Sequence, residues 1–272
     1  MNDKIVLTGA AGGVARQIRP QLAERYPGLV LSDMVEPPDL VPNETFVQAE
    51  LADYLSMQEV LRGAKAVIHL GGFSVEGPWE TIHKSNIIGL YNLFDAGQQA
   101  GVERVIFASS NHAVGFYDRR RRIGVHEPVR PDSRYGISKA FGEAVGSYYA
   151  DKFGMKVMSI RIGNVADKPA DLRRLAIWLH PDDLVQLIEL GLTHPEIHHS
   201  IVYGASHCER AWWDNKTAYD LGYAPQHAAE DHVDYALAEQ AKLAADPIGD
   251  RLQGGTFCSA EFNGDIDTII KN

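Results

Sequence analysis

The chain has 272 residues, of which 45% are hydrophobic and 23% charged, the make-up of an ordinary globular protein long enough to bury a substantial core. A formal net charge of -10, from 26 basic and 36 acidic residues, is the opposite of the basic footprint that a nucleic-acid binder carries. Two cysteines cannot form a disulfide framework and suit a reducing cytoplasm, and no apolar run approaches the roughly 20 residues needed to span a bilayer.

In chain order, short apolar runs alternate with longer amphipathic stretches, the pattern of βαβ units around a parallel sheet buried on both faces. The first run, 5–7, starts almost at the N-terminus, with no basic-then-apolar leader before it, so a cytoplasmic protein is expected. Gly9-Ala10-Ala11-Gly12-Gly13-Val14-Ala15 then opens a helix over 14–26. Glycines there let the backbone approach a pyrophosphate, and the helix N-terminus offers free N–H groups to it. A second strand over 30–32 ends at Asp33, 24 residues after Gly9. An acid at about that distance accepts ribose hydroxyls and repels a 2′-phosphate, and no arginine adjoins it, so NAD is expected over NADP. After a strand over 45–48, Asp53 is expected to meet the adenine edge, ahead of a helix over 54–61. A strand over 66–70 ends at Gly71-Gly72, where bare backbone can pass under the cofactor.

A helix over 81–100 leads to a strand over 105–108, closed by Ser109-Ser110-Asn111-His112. The run Arg119-Arg120-Arg121-Arg122 reads as a solvated loop. On a helix over 133–153, Tyr135 and Lys139 lie one turn apart on one face. Tyrosine, with an unperturbed pKa of about 10, is a poor base at neutral pH. A nearby ammonium is expected to lower that value and make the pair a general base for an alcohol proton. Ser110, 25 residues before Tyr135, can hold the substrate oxygen beside it. Strands over 157–160 and 200–203 flank a helix over 181–192, and beyond about Asn164 the alternation weakens into a Trp- and Pro-rich region. The fold expected is a doubly wound Rossmann-type α/β sheet, one domain over 1–272, with an NAD-binding core at 1–163 and mainly substrate-binding elements at 164–272. Residues past about 247 read as loose apart from Gly254-Gly255-Thr256-Phe257, and Trp212 and Trp213 as core. The 11 histidines are scattered without HExxH or CxxC, and His194, His198 and His199 read as a loop entering a strand, so no metal site is expected.

The glycine turn, Asp33 and the Ser110, Tyr135 and Lys139 set resemble the extended short-chain dehydrogenases. More narrowly, His69-Leu70-Gly71-Gly72 with Ser74-Val75-Glu76, Asn86-Ile87-Ile88-Gly89, Phe107-Ala108-Ser109-Ser110-Asn111-His112, Arg161-Ile162-Gly163, Tyr203-Gly204-Ala205-Ser206, Trp212-Trp213-Asp214-Asn215 and Gly254-Gly255-Thr256-Phe257 resemble the bacterial uronate dehydrogenases. The resemblance implies NAD-dependent oxidation of C1 of a pyranose hexuronic acid, glucuronate or galacturonate, to an aldaro-lactone, by a homo-oligomer. It implies Tyr135 as the base, Lys139 lowering its pKa and binding the nicotinamide ribose, and Ser110 positioning the C1 oxygen. Ser74, Asn111 and His112 would bond sugar hydroxyls, and Arg173, preferred to its neighbour Arg174, would clamp the C6 carboxylate through its planar fork. The expected cofactor set is Gly9, Ala11, Gly12, Gly13, Val14, Asp33, Leu51, Asp53, Leu70, Gly71, Gly72, Tyr135, Lys139 and Ile162. Two departures stand out: Ala15 replaces the third glycine of the turn, and Asn164 stands where the family carries a serine at the acid end of the sugar. Asn164 keeps open a sugar with another C6 group, a sulfonate such as sulfoquinovose or a bare hydroxymethyl. A sugar-nucleotide epimerase or dehydratase shares the fold and the Tyr-Lys pair. An NAD sensor would have no use for the intact catalytic set.

Overall fold

The computed structural model describes residues 3–271. Strand β1 (Lys4–Thr8) runs through the glycine turn into α1 (Gly13–Arg25), then β2 (Leu29–Asp33) and β3 (Glu44–Gln48). Helix α2 (Tyr54–Leu61) precedes β4 (Ala64–His69). Helix α3 (Trp79–Ile82) passes through a π turn (His83–Ile88) into α4 (Gly89–Ala100), where a single helix over 81–100 is expected from sequence. Strand β5 (Arg104–Ser110) ends in a 3-10 turn (Asn111–Val114) ahead of α5 (Arg134–Phe153). Then follow β6 (Lys156–Ile162), β7 (Asn164–Val165), α6 (Leu172–Ile177), β8 (Trp178–Leu179), α7 (Pro181–Thr193) and β9 (His199–Gly204). Short helices α8 (Lys216–Asp220), α9 (Val233–Gln240), α10 (Thr256–Ser259) and α11 (Ile266–Ile269) complete the described chain. No helix among the described residues is long and apolar enough to cross a membrane.

The main sheet has seven strands in the order β3-β2-β1-β4-β5-β6-β9, all paired in parallel. The side-chain period of two sends alternate residues to opposite faces. Ile5, Leu7, Ile68, Ile106, Met158 and Ile160 pack with Ile18 and Leu22 of α1 and Leu184, Leu187 and Ile188 of α7. Their strand neighbours Val6, Val67, Val105, Phe107 and Val157 pack instead with Met57 and Leu61 of α2, Leu93 and Phe94 of α4, and Tyr149 of α5. With water excluded from both faces, each such side chain contributes about 1.5–3 kcal/mol of burial.

The strand order turns back between β1 and β4, which is where a doubly wound sheet opens a crevice at the carboxyl ends of its strands. The approach of the two strand ends is very close. Gly9 has φ +73°, and a Cβ there would lie 2.6 Å from Gly71 N and Leu70 C. Only glycine satisfies both demands.

The arginine run is a solvated loop at Arg120, Arg121 and Arg122, but not at Arg119, which donates to Leu252 O (3.0 Å) and Gly249 O (2.6 Å) and stacks 5.3 Å from the Trp212 ring centre. Arg120 pairs with Asp118, and Arg121 with Glu127. Nor is the chain past 247 loose, since Leu252 and Gln253 are fully buried. Gln253 donates to Asp118 O (3.1 Å) and Arg121 O (2.9 Å) and accepts from Trp213 Nε1 (3.1 Å). These are non-local polar contacts, which leave no periodic signal in sequence. Trp213 is core, stacked on Tyr203 at 4.6 Å between ring centres.

Candidate active site

Two adjoining cavities lie at the carboxyl ends of the strands. The first, about 360 Å³, is lined by Gly9, Gly12, Gly13, Val14 and Ala15 of the turn, Asp33, Leu51, and Leu70, Gly71 and Gly72. The second, about 260 Å³, is lined by Ser110, His112, Tyr135, Lys139, Ile162 and Asn164. Val14, Leu70, Gly71, Gly72, Phe73 and Ser74 line both, so the two form one trough.

The first cavity fits a dinucleotide. Helix α1 has no side-chain cap and no acid in its first turn, so its N-terminal N–H groups and positive dipole end are available to an anion. Asp33 Oδ2 accepts from Ala11 N at 3.0 Å and Oδ1 from Met34 N at 2.7 Å. Each oxygen keeps a lone pair for a ribose hydroxyl. Ala11 therefore works behind the wall, fixing Asp33, and does not line the cavity. Asp53 is displaced from its expected place at the adenine edge. It caps α2, accepting from Leu55 N at 3.2 Å and from Ser56 Oγ, and it is outside the lining. The N-cap of the following helix takes the carboxylate first. Ala15 lines the cavity and is fully buried, so the missing third glycine leaves no gap.

In the second cavity, Ser133 caps α5 by accepting from Gly136 N at 2.9 Å, and Glu76 Oε2 accepts from Tyr135 N at 3.0 Å. The first turn of the helix is thereby pinned, and Tyr135 is held against the end of β5. Burial pushes the Tyr135 phenol up to about 12, and the neighbouring Ser110 hydroxyl pulls it down only in part. Lys139 is brought down to about 8 by burial. Its ammonium donates to Ala108 O at 2.7 Å and stands 5.3 Å from the centre of the Tyr135 ring. The expected lowering of Tyr135 by Lys139 is thus not what the protein groups produce, because a side chain so fully desolvated favours its neutral phenol.

His112 Nδ1 lies 2.7 Å from Asp132 Oδ2, its ring stacks on Phe257 at 3.9 Å between centres, and it meets Tyr135 edge-on at 5.8 Å. A carboxylate only accepts, so the shared proton sits on Nδ1, and in the neutral imidazole Nε2 is left as the acceptor. Asn111 is buried and outside the lining. With both ends of its amide satisfied, it accepts from Arg173 Nη2 at 2.9 Å and donates to Ile162 O at 3.2 Å. Arg173 Nε also donates to Gln253 O at 2.9 Å. Burial lowers Arg173 to about 10, which leaves it a cation at neutral pH. Arg173 stands behind Asn111, outside the cavity lining, and makes no ion pair among the described residues, with the Asp132 and Asp171 carboxylates acting on its charge from further off. Ser74 lines both cavities, and Asn164 lines the second from the start of β7.

Glu76, Asp132 and Phe257 are the site residues that sequence reasoning did not assign roles to, and so is Asn86. In the π turn, Asn86 accepts from Phe73 N (2.7 Å) and donates to Phe73 O (2.9 Å) and Ser138 Oγ (3.0 Å), tying the loop after β4 to the Tyr135 helix. The Asn86-Ile87-Ile88-Gly89 segment is visible in sequence; its π turn is not.

A sheet of this order, a glycine turn opposite an acid, and a Tyr-Lys pair beside a serine define the class, and the comparisons agree. The model of the NAD dependent epimerase/dehydratase family matches residues 5–171, and the chain belongs to that family. Within it, the chain belongs with the uronate dehydrogenases. It is 44% identical over 260 residues to the uronate dehydrogenase of Pseudomonas putida, covering 95% of this chain and 96% of that one. It superposes on the glucuronic acid dehydrogenase of Chromohalobacter salexigens with TM-score 0.90 at 40% identity, over 98% of this chain and 99% of that one. A tyrosine mutant of the Agrobacterium tumefaciens uronate dehydrogenase, complexed with NAD, gives TM-score 0.90 at 40% identity over 94% and 97% of the two chains.

Proposed function

We propose that this protein is an NAD-dependent dehydrogenase that oxidises C1 of a pyranose hexuronic acid, glucuronate or galacturonate, to the aldaro-lactone. The observation that carries the reading is the placement of Tyr135, Ser110 and Lys139 together on the wall of a cavity that continues into the dinucleotide crevice. Bound NAD supplies the acceptor for the C1 hydride and a positively charged ring.

Tyr135 takes the C1 hydroxyl proton, Ser110 holds the C1 oxygen, and Lys139 holds the nicotinamide ribose and adds positive charge near the phenol. Since burial holds Tyr135 at about 12, the phenol depends on added positive charge to reach its basic form at neutral pH. Gly9, Gly12, Gly13 and Val14 cradle the pyrophosphate, Asp33 takes the adenosine ribose and disfavours NADP, and Leu51, Leu70, Gly71, Gly72 and Ile162 wall the cofactor. Ser74, His112 and Asn164 bond the sugar, with Asn111 orienting Arg173 toward its acid end. Residues 1–163 form the NAD-binding part and 164–272 most of the substrate side. The enzyme works in the cytoplasm as a homo-oligomer, on a small sugar acid and with no nucleic acid or membrane partner. Asn164 in the cavity wall favours, as a second reading, the same chemistry on an aldose with another C6 group.

Replacing Tyr135 with Phe tests the mechanism. Turnover should fall at least ~100-fold, the scale of a lost general base, while NAD binding measured by calorimetry stays near wild type. Retained turnover would remove Tyr135 from the proton transfer.

A further inference from the structure

At the N-terminus of α7 lies a cluster of titratable side chains that the oxidation does not use. His180 caps the helix, its Nδ1 accepting from Asp182 N at 3.2 Å. Its ring stacks face to face on His227, with 3.5 Å between centres and 15° between planes. Asp182 Oδ2 stands 3.6 Å from His180 Nδ1 and 3.6 Å from His227 Nε2. One donor atom from each of the three lies within 4.8 Å of the other two. A spacing of 3.6 Å is too long for a hydrogen bond. It is close to the roughly 3.3–3.6 Å that separates two ligands on one zinc ion in tetrahedral arrangement, given bonds of about 2.0–2.2 Å.

The support behind His227 has the form of an outer coordination shell. His227 Nδ1 is buried with no hydrogen-bond partner, 3.4 Å from Asp183 Oδ2. Asp183 is itself fixed, accepting from Ser206 Oγ (2.6 Å), Gln226 N (2.8 Å) and His227 N (3.3 Å). A small rotation of the imidazole would complete the Nδ1–H to carboxylate bond that typically stands behind a ligating Nε2. Two imidazole nitrogens and one carboxylate oxygen suit zinc, cobalt or nickel rather than magnesium or calcium.

We propose that His180, Asp182 and His227 bind one divalent transition-metal ion of the zinc class, with Asp183 as the outer-shell partner of His227 and solvent completing the coordination. The ion displaces the long cap from Asp182 N to His180 Nδ1 and opens the imidazole stack, because lone pairs in two near-parallel ring planes 3.5 Å apart turn toward one ion only when the rings rotate. None of the three residues lines either cavity of the trough, so the site is structural. It ties the start of α7 to the segment that carries His227 and leads into α9, whose Ala236 packs with Leu175 of α6 and Trp178. Helix α6 carries Arg173, so the ion braces the substrate end of the molecule.

The test uses the full chain, free of any affinity tag and stripped with a chelator. Titrated with zinc chloride by calorimetry it should bind one equivalent, with a rise in Tm that chelator reverses, and cobalt chloride should give visible ligand-field absorption; magnesium chloride should do neither. Asp182→Asn and His227→Gln should each weaken zinc by at least ~10-fold, the lower bound for outer-shell changes, and remove the cobalt bands. Controls at His198→Gln, whose imidazole pairs with Asp151, and Cys208→Ser should leave the titration unchanged. NAD binding reports that each variant is folded. Absence of one-equivalent zinc binding in the wild type, or unchanged binding in Asp182→Asn and His227→Gln, overturns the proposal.

Discussion

His112 is the residue whose surroundings say most about how this site reads a sugar. Phe257 stacks on its ring and Asp132 holds the proton on Nδ1, so in the neutral imidazole Nε2 accepts from a hydroxyl. Asp132 works through His112 rather than on the sugar. Asn in its place would offer an N–H as well as an oxygen to Nδ1 and would no longer enforce that tautomer. Loss of one well-placed hydrogen bond costs about 1–3 kcal/mol, or roughly 5- to 150-fold. Asp132→Asn should therefore raise KM for glucuronate, with kcat/KM falling in that range and NAD affinity unchanged. A variant with wild-type KM would show that Asp132 only fills space. Asp132 escapes sequence reasoning because nothing local marks it; its role arises when the turn after β5 folds against the start of α5. Tyr135, Lys139 and Ser110 are legible because helical spacing and a strand end place them without reference to distant residues.

The elements that bring these residues together are β5, its 3-10 turn and α5, and they meet at Gly136. A Cβ there would lie 2.3 Å from His112 O, a backbone atom that cannot swing aside. Gly136→Ala should push the start of α5 away from the turn, at an overpacking cost of about 1–3 kcal/mol. Both Tm and kcat should fall; a variant with both intact would mean that the contact is slack. The parallel strands and the long helices are legible in sequence because burial on both faces leaves unbroken apolar runs. Strands β1, β2 and β5 run one or two residues further in the structure, into polar Thr8, Asp33 and Ser110, where hydrogen bonding outlasts the apolar pattern, whereas β4 stops one residue short of the expected Leu70. The π turn at His83–Ile88 and the pairing of β7 with β8 are not legible, being short and set by distant partners. The packed segment around Gln253 is hidden for the same reason.

At the scale of the whole molecule, the trough is built over a buried histidine that bears on stability. His69, at the end of β4, is held to Thr8 Oγ1 at 2.6 Å, and burial, with Lys139 nearby, lowers its pKa to about 3. Between about pH 6.5 and about pH 3 the unfolded chain binds a proton there that the folded chain refuses, so stability rises with pH across that window and is lost as pH falls through it. One such proton gives a slope of up to about 1.4 kcal/mol per pH unit. Denaturant unfolding from pH 6.5 downward should show that slope, and His69→Gln should flatten it by about that amount; an equal slope in the variant would contradict the assignment.

On the proposed function, the trough joining the NAD crevice to Tyr135 oxidises a uronic acid at C1. The most direct measurement is the rate of NADH release by purified protein with NAD and, in parallel, glucuronate, galacturonate, glucose, sulfoquinovose or UDP-glucose. Steady NADH release is expected with a uronate, with kcat/KM at least ~10-fold above glucose because a neutral C6 group offers the Arg173 cation no carboxylate, and no net NADH from UDP-glucose. Turnover of the neutral sugar or the sulfonate with none of the uronates, or conversion of UDP-glucose with no NADH released, would contradict it.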